Sequence, residues 1–495
     1  MNLARYCLEN AGPKDTDTAP EVIGPSGACL EKWSYGRLSH TIRAIGAGLK
    51  LYGLERGDRI LIRLGHSSDF PLVFFGAIAG GFVPVPTSDL LTAAEADQLF
   101  LDSGARVVVH DGRTALPPSA TAVVGPAELE ALKAQAPGPI AGTKADDPAF
   151  LIYTSGTSGT PKGVLHAQRA AAGRRPMYDG WYGIERSDRL MHGGAFNWTY
   201  TLGVGLMDPW ANGATSLVYD GPRDPRIWLD LIENSGATLF AAVPSLYRRI
   251  LKYGTVSAQR FPSLRHGLSA GEALSARLHD DWVQQTGRPL YEALGMSEIS
   301  TYISSGPRVP TRPGSSGKPQ AGRKVDILKE GSGQPEPAPT GEVGLLAVHR
   351  DEQGLMLGYW GKPAETAEAF WGGWFLTGDR AHRDEEDYYW YDGRADDVMN
   401  AFGYRVAPEE VERALSAHPN VAEVAVVDVP IREGVSLITA FIVPHSPGFR
   451  DETALAEHAR KVLAEYKRPK AYRFVRGLPR TPSGKLRRKA LISAA

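Results

Sequence analysis

The stretch from Tyr153 to Gly163, Tyr-Thr-Ser-Gly-Thr-Ser-Gly-Thr-Pro-Lys-Gly, constrains this chain more than any other. Three glycines let the backbone approach an anion closely, Ser and Thr add hydrogen-bond donors, and Lys162 adds positive charge, so the chemistry points to polyphosphate. The apolar run Ala149 to Tyr153 before it reads as a buried strand, and Val164 to Arg175 after it can open a helix. Walker A is the obvious comparison and fails: with Gly156 as first glycine, positions 161 to 163 should read Gly-Lys-[Ser/Thr] but read Pro-Lys-Gly. A proline there offers no N–H to a phosphate cradle. Taken alone, these residues fit an ordinary Gly/Ser/Thr loop equally well.

At 495 residues the chain is long enough for two or three units. Its 42% hydrophobic and 22% charged content is globular, and a net charge of -1 without a basic face or like-charge block argues against nucleic acid or an anionic membrane as partner. Cys7 and Cys29 make neither a disulfide framework nor a metal cluster, which fits a reducing, cytoplasmic setting. Met1 to Ala11 carries Arg5, Glu9 and Asn10 where a signal peptide needs an apolar run, so none is expected. The longest apolar stretch, Phe70 to Pro86, is interrupted by Pro71, Pro84 and glycines. It falls short of the ~18–20 residues of a membrane span and reads as a buried helix followed by a short strand.

Gly57 to Arg63 and Arg106 to His110 read as strands, and Thr92 with Glu95 has capping-box spacing before a helix that Gly104 can close. Ala214 to Tyr219, Pro225 to Asn234 and Thr238 to Val243 follow as strand, helix and strand, the order of a parallel sheet covered by helices. Lys329 to Thr340 is a Gly/Pro-rich surface loop between two strand-like runs. From Val406 the texture changes to a self-contained α+β unit: a helix from Pro408 to Leu415, strands at Val421 to Asp428 and Leu437 to Val443, then a helix near Thr453 to Tyr466. The expected organisation is α/β, with a large N-terminal domain (residues 1–394) and a small C-terminal domain (residues 395–495).

Gly267-Leu268-Ser269-Ala270-Gly271 matches the Gly-x-Ser-x-Gly elbow of serine hydrolases, which makes Ser269 a candidate nucleophile. The five-residue pattern is weak, and the short polar run Pro262 to His266 before it is not the hydrophobic strand an elbow follows. Further segments stand out in order: Tyr291-Glu292-Ala293-Leu294-Gly295-Met296-Ser297-Glu298, Trp374 to Asp379, Tyr391-Asp392-Gly393-Arg394, Ala395 to Met399, Gly403-Tyr404-Arg405 and Pro479 to Arg488. Singly, each has a bland reading as a turn, a solvated helix end or a basic tail.

Together with Tyr153 to Gly163, these segments resemble, in order and over nearly the whole chain, the adenylate-forming superfamily of acyl-CoA and aryl-CoA synthetases, peptide-synthetase adenylation domains and luciferases. The run from Met191 to Trp210 is most similar to bacterial benzoate-CoA ligases and medium-chain acyl-CoA synthetases. The resemblance implies doubly wound sheets with a β-barrel-like subdomain, and a mobile C-terminal domain turning about a hinge at Asp396. It implies that Thr154, Ser155, Gly156, Thr157, Ser158, Gly159, Thr160 and Lys162 hold ATP phosphates. Gly271, Glu272, Ala273, Tyr291, Gly295, Met296, Ser297, Asp379, Tyr391 and Arg394 would complete the nucleotide site. Thr157 and Glu298 would hold Mg²⁺, and Phe196, Trp198, Ala270, Gly295 and Met296 would line the acyl pocket. Gly403, Tyr404 and Arg405 would face coenzyme A, and Lys485 would bridge the substrate carboxylate and the α-phosphate, with Thr157 and Glu298 completing the catalytic set.

The activity so implied is an ATP-dependent acid–CoA ligase for an aromatic, alicyclic or medium-chain monocarboxylic acid. Loading of a carrier-protein phosphopantetheine is the alternative within the family. The serine hydrolase is a remote one, and luciferase chemistry has no positive feature here. The partners are small molecules, and assembly as a homodimer stays open.

Overall fold

Six parallel strands form the wall that carries the cleft: in spatial order Thr18–Ile23, Thr215–Tyr219, Arg189–His192, Leu239–Ala242, His266–Ala270 and Leu290–Met296. The computed structural model describes all residues except 156–160, 223, 273, 395–398, 402–403, 407, 433–434, 447, 480–487 and 494–495; of 155, 393, 394, 400, 401, 404, 405, 409, 413 and 489 it describes the backbone alone. The strands are largely buried, as in parallel sheets with both faces covered by helices. Beyond Leu290–Met296 the sheet turns antiparallel and runs on through Ser300–Ser304, Ser315–Pro319, Tyr389–Arg394, Trp374–Arg383, Gly344–His349 and Val325–Leu328. This antiparallel half is the β-rich subdomain, and Lys329 to Thr340 loops between two of its strands as expected.

A second parallel sheet holds Val83–Pro86, Arg59–Arg63, Ala105–His110 and Val123–Val124. Over it lies the helix Asp69–Gly80, buried from Phe70 to Ala79 because it is apolar all round. The helix Ala93–Ser103 has the predicted capping box, Thr92 with Glu95, and ends on Gly104 in the left-handed region. The C-terminal unit packs Val421–Arg432, Val435–Pro444 and Ala471–Phe474 against the helices Pro408–Ser416 and Glu452–Val462.

One expectation fails. Val164 to Arg175 does not open a helix; Pro161–Ala167 is a strand, antiparallel to Pro148–Ser155 with Ile152 opposite Val164 and Thr154 opposite Lys162. A four-residue apolar run cannot by its period alone distinguish helix from strand, and here the pairing with Pro148–Ser155 decides. The glycine-rich segment therefore links two strands of a hairpin, and no helix N-terminus follows it to contribute a dipole to an anion.

Candidate active site

Parallel strands gather ligands at their carboxyl ends, and that is where this cleft opens. His266–Ala270 and Leu290–Met296 run in register with Ala270 beside Ala293, so Ala270, Gly271 and the run Gly295, Met296, Ser297 meet at one rim. Gly271 takes the chain off its strand at φ +89°, a conformation that favours glycine. Gly295 is needed for a different reason: a Cβ there would lie 2.5 Å from the Ser300 carbonyl oxygen. Across from this rim stand Thr154 and Tyr153 of the hairpin and the aromatic pair Trp198 and Tyr200, enclosing a cavity of about 180 Å³.

Of the residues singled out in the sequence, Thr154, Trp198, Ala270, Gly271, Gly295, Met296 and Ser297 line this one cleft. Glu298 follows directly, buried, with Oε1 accepting from the Tyr359 hydroxyl at 3.0 Å and Oε2 buried without a hydrogen-bond partner. One bare carboxylate oxygen fits the expected Mg²⁺, which takes one or two carboxylates and otherwise phosphate and water oxygens. Asp379 is buried and lies directly opposite Arg394 in the antiparallel register, so the two predicted ribose partners are neighbours. Tyr391 is exposed on the same strand.

Gly156, Thr157, Ser158, Gly159, Thr160, Ala273, Asp396, Gly403 and Lys485 lie outside the described residues, as do the side chains of Ser155, Arg394, Tyr404 and Arg405. The strand Tyr404–Val406 nevertheless touches Pro148–Ser155, bringing that segment to the hairpin. Three residues after Lys485, Arg488 pairs with Glu412 and fastens the chain to the C-terminal unit.

Several assignments change. Phe196 is not in the pocket: it is buried in the core, stacked on Phe70 at 5.0 Å, and the neighbouring Trp198 and Tyr200 face the cleft instead. Glu272 caps the helix Pro244–Tyr253, accepting from the Ser245 N–H at 2.9 Å and hydroxyl at 3.0 Å, while its neighbour Gly271 lines the cleft. Tyr291 lies four residues down the strand from Gly295 and packs edge-on against His266, with ring centroids 4.9 Å apart, away from the lining. Lys162 pairs with Glu365 at 2.8 Å and lies over the Tyr359 ring. Ser269 cannot be an elbow nucleophile: it sits inside a strand, fully buried, with no partner for its hydroxyl.

The floor of the cleft was not legible in sequence. Ser300, at the unusual φ of +85°, lines it, and its Oγ accepts from Arg174 Nη1. Arg174 is itself buried in a bidentate pair with Asp208, at 2.7 and 2.6 Å, and Tyr182 donates to the same carboxylate at 2.7 Å. Burial opposes the guanidinium charge, but the Asp208 carboxylate outweighs it and raises the Arg174 pKa. Next to this pair, burial pushes His166 down to about 3, so its imidazole is neutral.

The mouth joins both parts of the chain. Glu95, Gln98 and Leu99 face Glu410, Tyr466 and Lys467. Lys467 Nζ lies 2.8 Å from Glu410 Oε1 and 3.3 Å from Glu95 Oε1, and the Ala464 N–H donates to the same Glu95 oxygen at 3.0 Å. Burial works against the ammonium, yet Tyr466, Glu410 and Glu95 outweigh it and raise the Lys467 pKa. Glu95 announced itself only as a cap; Lys467 carried no signal.

Residues 16–360 match the AMP-binding enzyme family and residues 410–485 the AMP-binding enzyme C-terminal domain. The chain is 31% identical over 490 residues to 3-hydroxybenzoate–CoA ligase of Aromatoleum sp. (strain CIB), covering 95% of this chain and 92% of that protein. It is 32% identical over 487 residues to benzoate–CoA ligase of Thauera aromatica, covering 93% and 91%. Among solved structures, ATP-bound MatB from Rhodopseudomonas palustris superposes with a TM-score of 0.73 at 26% identity, over 100% of this chain and 99% of that one. A malonyl-CoA ligase with methylmalonyl-CoA and AMP bound superposes with 0.82 at 27% identity, over 96% and 99%. With two motif-bearing segments meeting at one cleft and both family models matching in order, the chain belongs to the AMP-binding enzyme family.

Proposed function

We propose that this enzyme is an AMP-forming acid–CoA ligase that activates a compact, mainly apolar monocarboxylic acid, aromatic, alicyclic or medium-chain, and transfers it to coenzyme A. One observation carries the reading: hairpin residue Thr154 and the aromatic wall of Trp198 and Tyr200 face a single continuous cleft. An acid held against that wall has its carboxylate directed at whatever the hairpin holds. The two relatives named for benzoate and 3-hydroxybenzoate agree with an aromatic occupant.

In the first half-reaction a carboxylate oxygen attacks the α-phosphorus of ATP, the P–O bond to the β-phosphate breaks, and pyrophosphate leaves. Carboxylates are ionised at neutral pH, so no general base is needed. The protein's task is in-line positioning and neutralisation of growing charge, assigned to the hairpin, Lys485 and Thr157, with Glu298 as the carboxylate for the metal. Mg²⁺ supplies charge neutralisation on the phosphate oxygens. In the second half the thiol of coenzyme A attacks the acyl carbon, the C–O bond to AMP breaks, and the thioester forms.

Lys485 lies within the C-terminal unit, residues 395–495, so the two halves call for two arrangements about Asp396. The contact of Tyr404–Val406 with the hairpin strand Pro148–Ser155 supports reading the present arrangement as the thioester-forming one. So does the better superposition on the product-bound ligase than on the ATP-bound one. A cytoplasmic location, argued from free Cys7 and Cys29, and a homodimer belong to the same proposal; fractionation and light scattering test them.

The deciding assay is AMP release from a panel of carboxylic acids, with and without coenzyme A. Release that requires ATP, acid and coenzyme A supports the reading. Equal turnover with a phosphopantetheinylated carrier protein in place of coenzyme A favours the carrier-loading alternative. Lys485→Ala is expected to abolish adenylate formation while largely sparing thioester formation from supplied acyl-adenylate, and equal loss in both contradicts the division of labour.

A further inference from the structure

Three features at the cleft floor go beyond an apolar pocket. Thr301 lines the cleft and is 4% exposed, yet its Oγ1 has no hydrogen-bond partner. A buried hydroxyl left unpaired costs on the order of 1–3 kcal/mol, so an unpaired one in a binding cleft points to a ligand that pairs it. Beside it, Ser300 Oγ accepts from Arg174 while its own hydrogen reaches only the Met177 sulfur at 3.6 Å, a weak acceptor that a better one can replace. Behind Ser300 and Thr199 lies a second chamber of about 20 Å³, lined also by His166 and Arg174. The cleft thus presents hydroxyl groups here, with a small recess of mixed lining beyond them.

The charge state of this floor decides what it accepts. Both guanidiniums near it among the described residues are already paired, Arg174 bidentately with Asp208 and Arg323, which donates to the Thr301 carbonyl, with Glu352, and burial keeps His166 uncharged. A second carboxylate would enter a buried site where no cation among the described residues is free to meet it, at a cost of several kcal/mol. A hydroxyl, in contrast, can both donate to and accept from Thr301 and Ser300.

We propose that the acid this enzyme activates carries a neutral hydrogen-bonding substituent, a hydroxyl above all, and that Thr301 and Ser300 read it. This rests on the acid–CoA ligase reading and narrows it to hydroxy acids, against both plain hydrocarbon acids and diacids. A site built to pair a hydroxyl discriminates strongly against the analogue lacking one, because its own polar groups are then left unpaired.

The test measures kcat/KM by AMP release, with ATP and coenzyme A saturating, for matched sets: benzoate with 3- and 4-hydroxybenzoate and isophthalate, and hexanoate with 6-hydroxyhexanoate and adipate. The best hydroxy acid is expected to exceed its unsubstituted parent by at least about tenfold, mainly through KM, with the diacid below the parent. Thr301→Val should collapse that ratio to within about threefold, and Thr301→Ser should restore it. Parent acids equal to or better than hydroxy acids, a preferred diacid, or an unchanged ratio in folded Thr301→Val would each overturn the proposal while leaving the ligase reading intact. Should the valine variant not fold, the wild-type panel decides by itself. No AMP release from any acid would bring down the ligase reading, and this proposal with it.

Discussion

Arg174 and Lys467 each hold a buried positive charge against carboxylates, at opposite ends of one cleft, and the two clusters differ in what they connect. Arg174 and Asp208 belong to the same part of the chain and meet through two parallel hydrogen bonds. Lys467 belongs to the C-terminal unit and reaches Glu95 of the N-terminal one through a single longer contact. A planar guanidinium locked to a carboxylate fixes geometry, whereas an ammonium is a point charge on a flexible stem that can leave one partner for water. The contrast teaches that the floor is a permanent part of the fold, while the mouth is a contact of the kind that the proposed rearrangement of the units would make and release.

Breaking the floor should have the largest effect. Asp208→Asn leaves Arg174 buried without its counter-charge and is expected to lower unfolding stability by about 3–5 kcal/mol, read from urea denaturation. A loss under about 1 kcal/mol would mean the floor is as loosely held as the mouth.

The two ends should also separate by pH. His166 binds a proton in the unfolded chain near its ordinary pKa, but in the folded chain only near 3, so its share of stability is present above pH 6.5 and lost as pH falls. About 2–3 kcal/mol should disappear between pH 6.5 and 4.5 from this group, and His166→Gln should flatten that limb. Lys467 has the opposite sign: its folded pKa is raised, so its contribution stands in full below about 10.5 and is lost only as pH rises. An acid limb unchanged in the glutamine variant would remove His166 from the account.

At the mouth the expected effects are kinetic. Lys467→Met should slow thioester formation from supplied acyl-adenylate by about tenfold, a barrier change of about 1.4 kcal/mol, while changing adenylate formation by less than about threefold. Equal slowing of both in single-turnover measurements would show that this contact is not particular to one arrangement. Smallest of all, Glu95→Gln keeps a residue that can close the capping box and removes only the charge facing Lys467. It should slow the same step about two- to threefold with little change in melting temperature.

Much of the framework was legible in the chain because local chemistry and burial agree there. The all-apolar helix within Phe70 to Pro86, the capping box at Thr92 and the strands on either side of Lys329 to Thr340 each follow from a pattern of a few residues. The hairpin was misread because Val164 to Ala167 is too short for its period to speak, and the partner strand that settles it is chosen in three dimensions. In the site, glycines were found where a left-handed φ or a close approach leaves no alternative, as at Gly271 and Gly295 respectively. Aromatic side chains were harder: Phe196 and Trp198 are two residues apart, and only packing tells which faces the cleft. Arg174 with Asp208, and Glu95 with Lys467, lie 34 and 372 positions apart, and no spacing rule connects such pairs.

The glycine at 295 has a bearing on how such an enzyme could change its diet. The neck of its pocket is set by main chain pressed against the Ser300 carbonyl, and any larger residue collides there. Selection for new substrates is thereby steered toward side chains such as Trp198 and Thr301, which can be trimmed or exchanged while the main chain at the neck stays in place, and descendants of this chain would diverge in the reach and polarity of what they accept rather than in its girth.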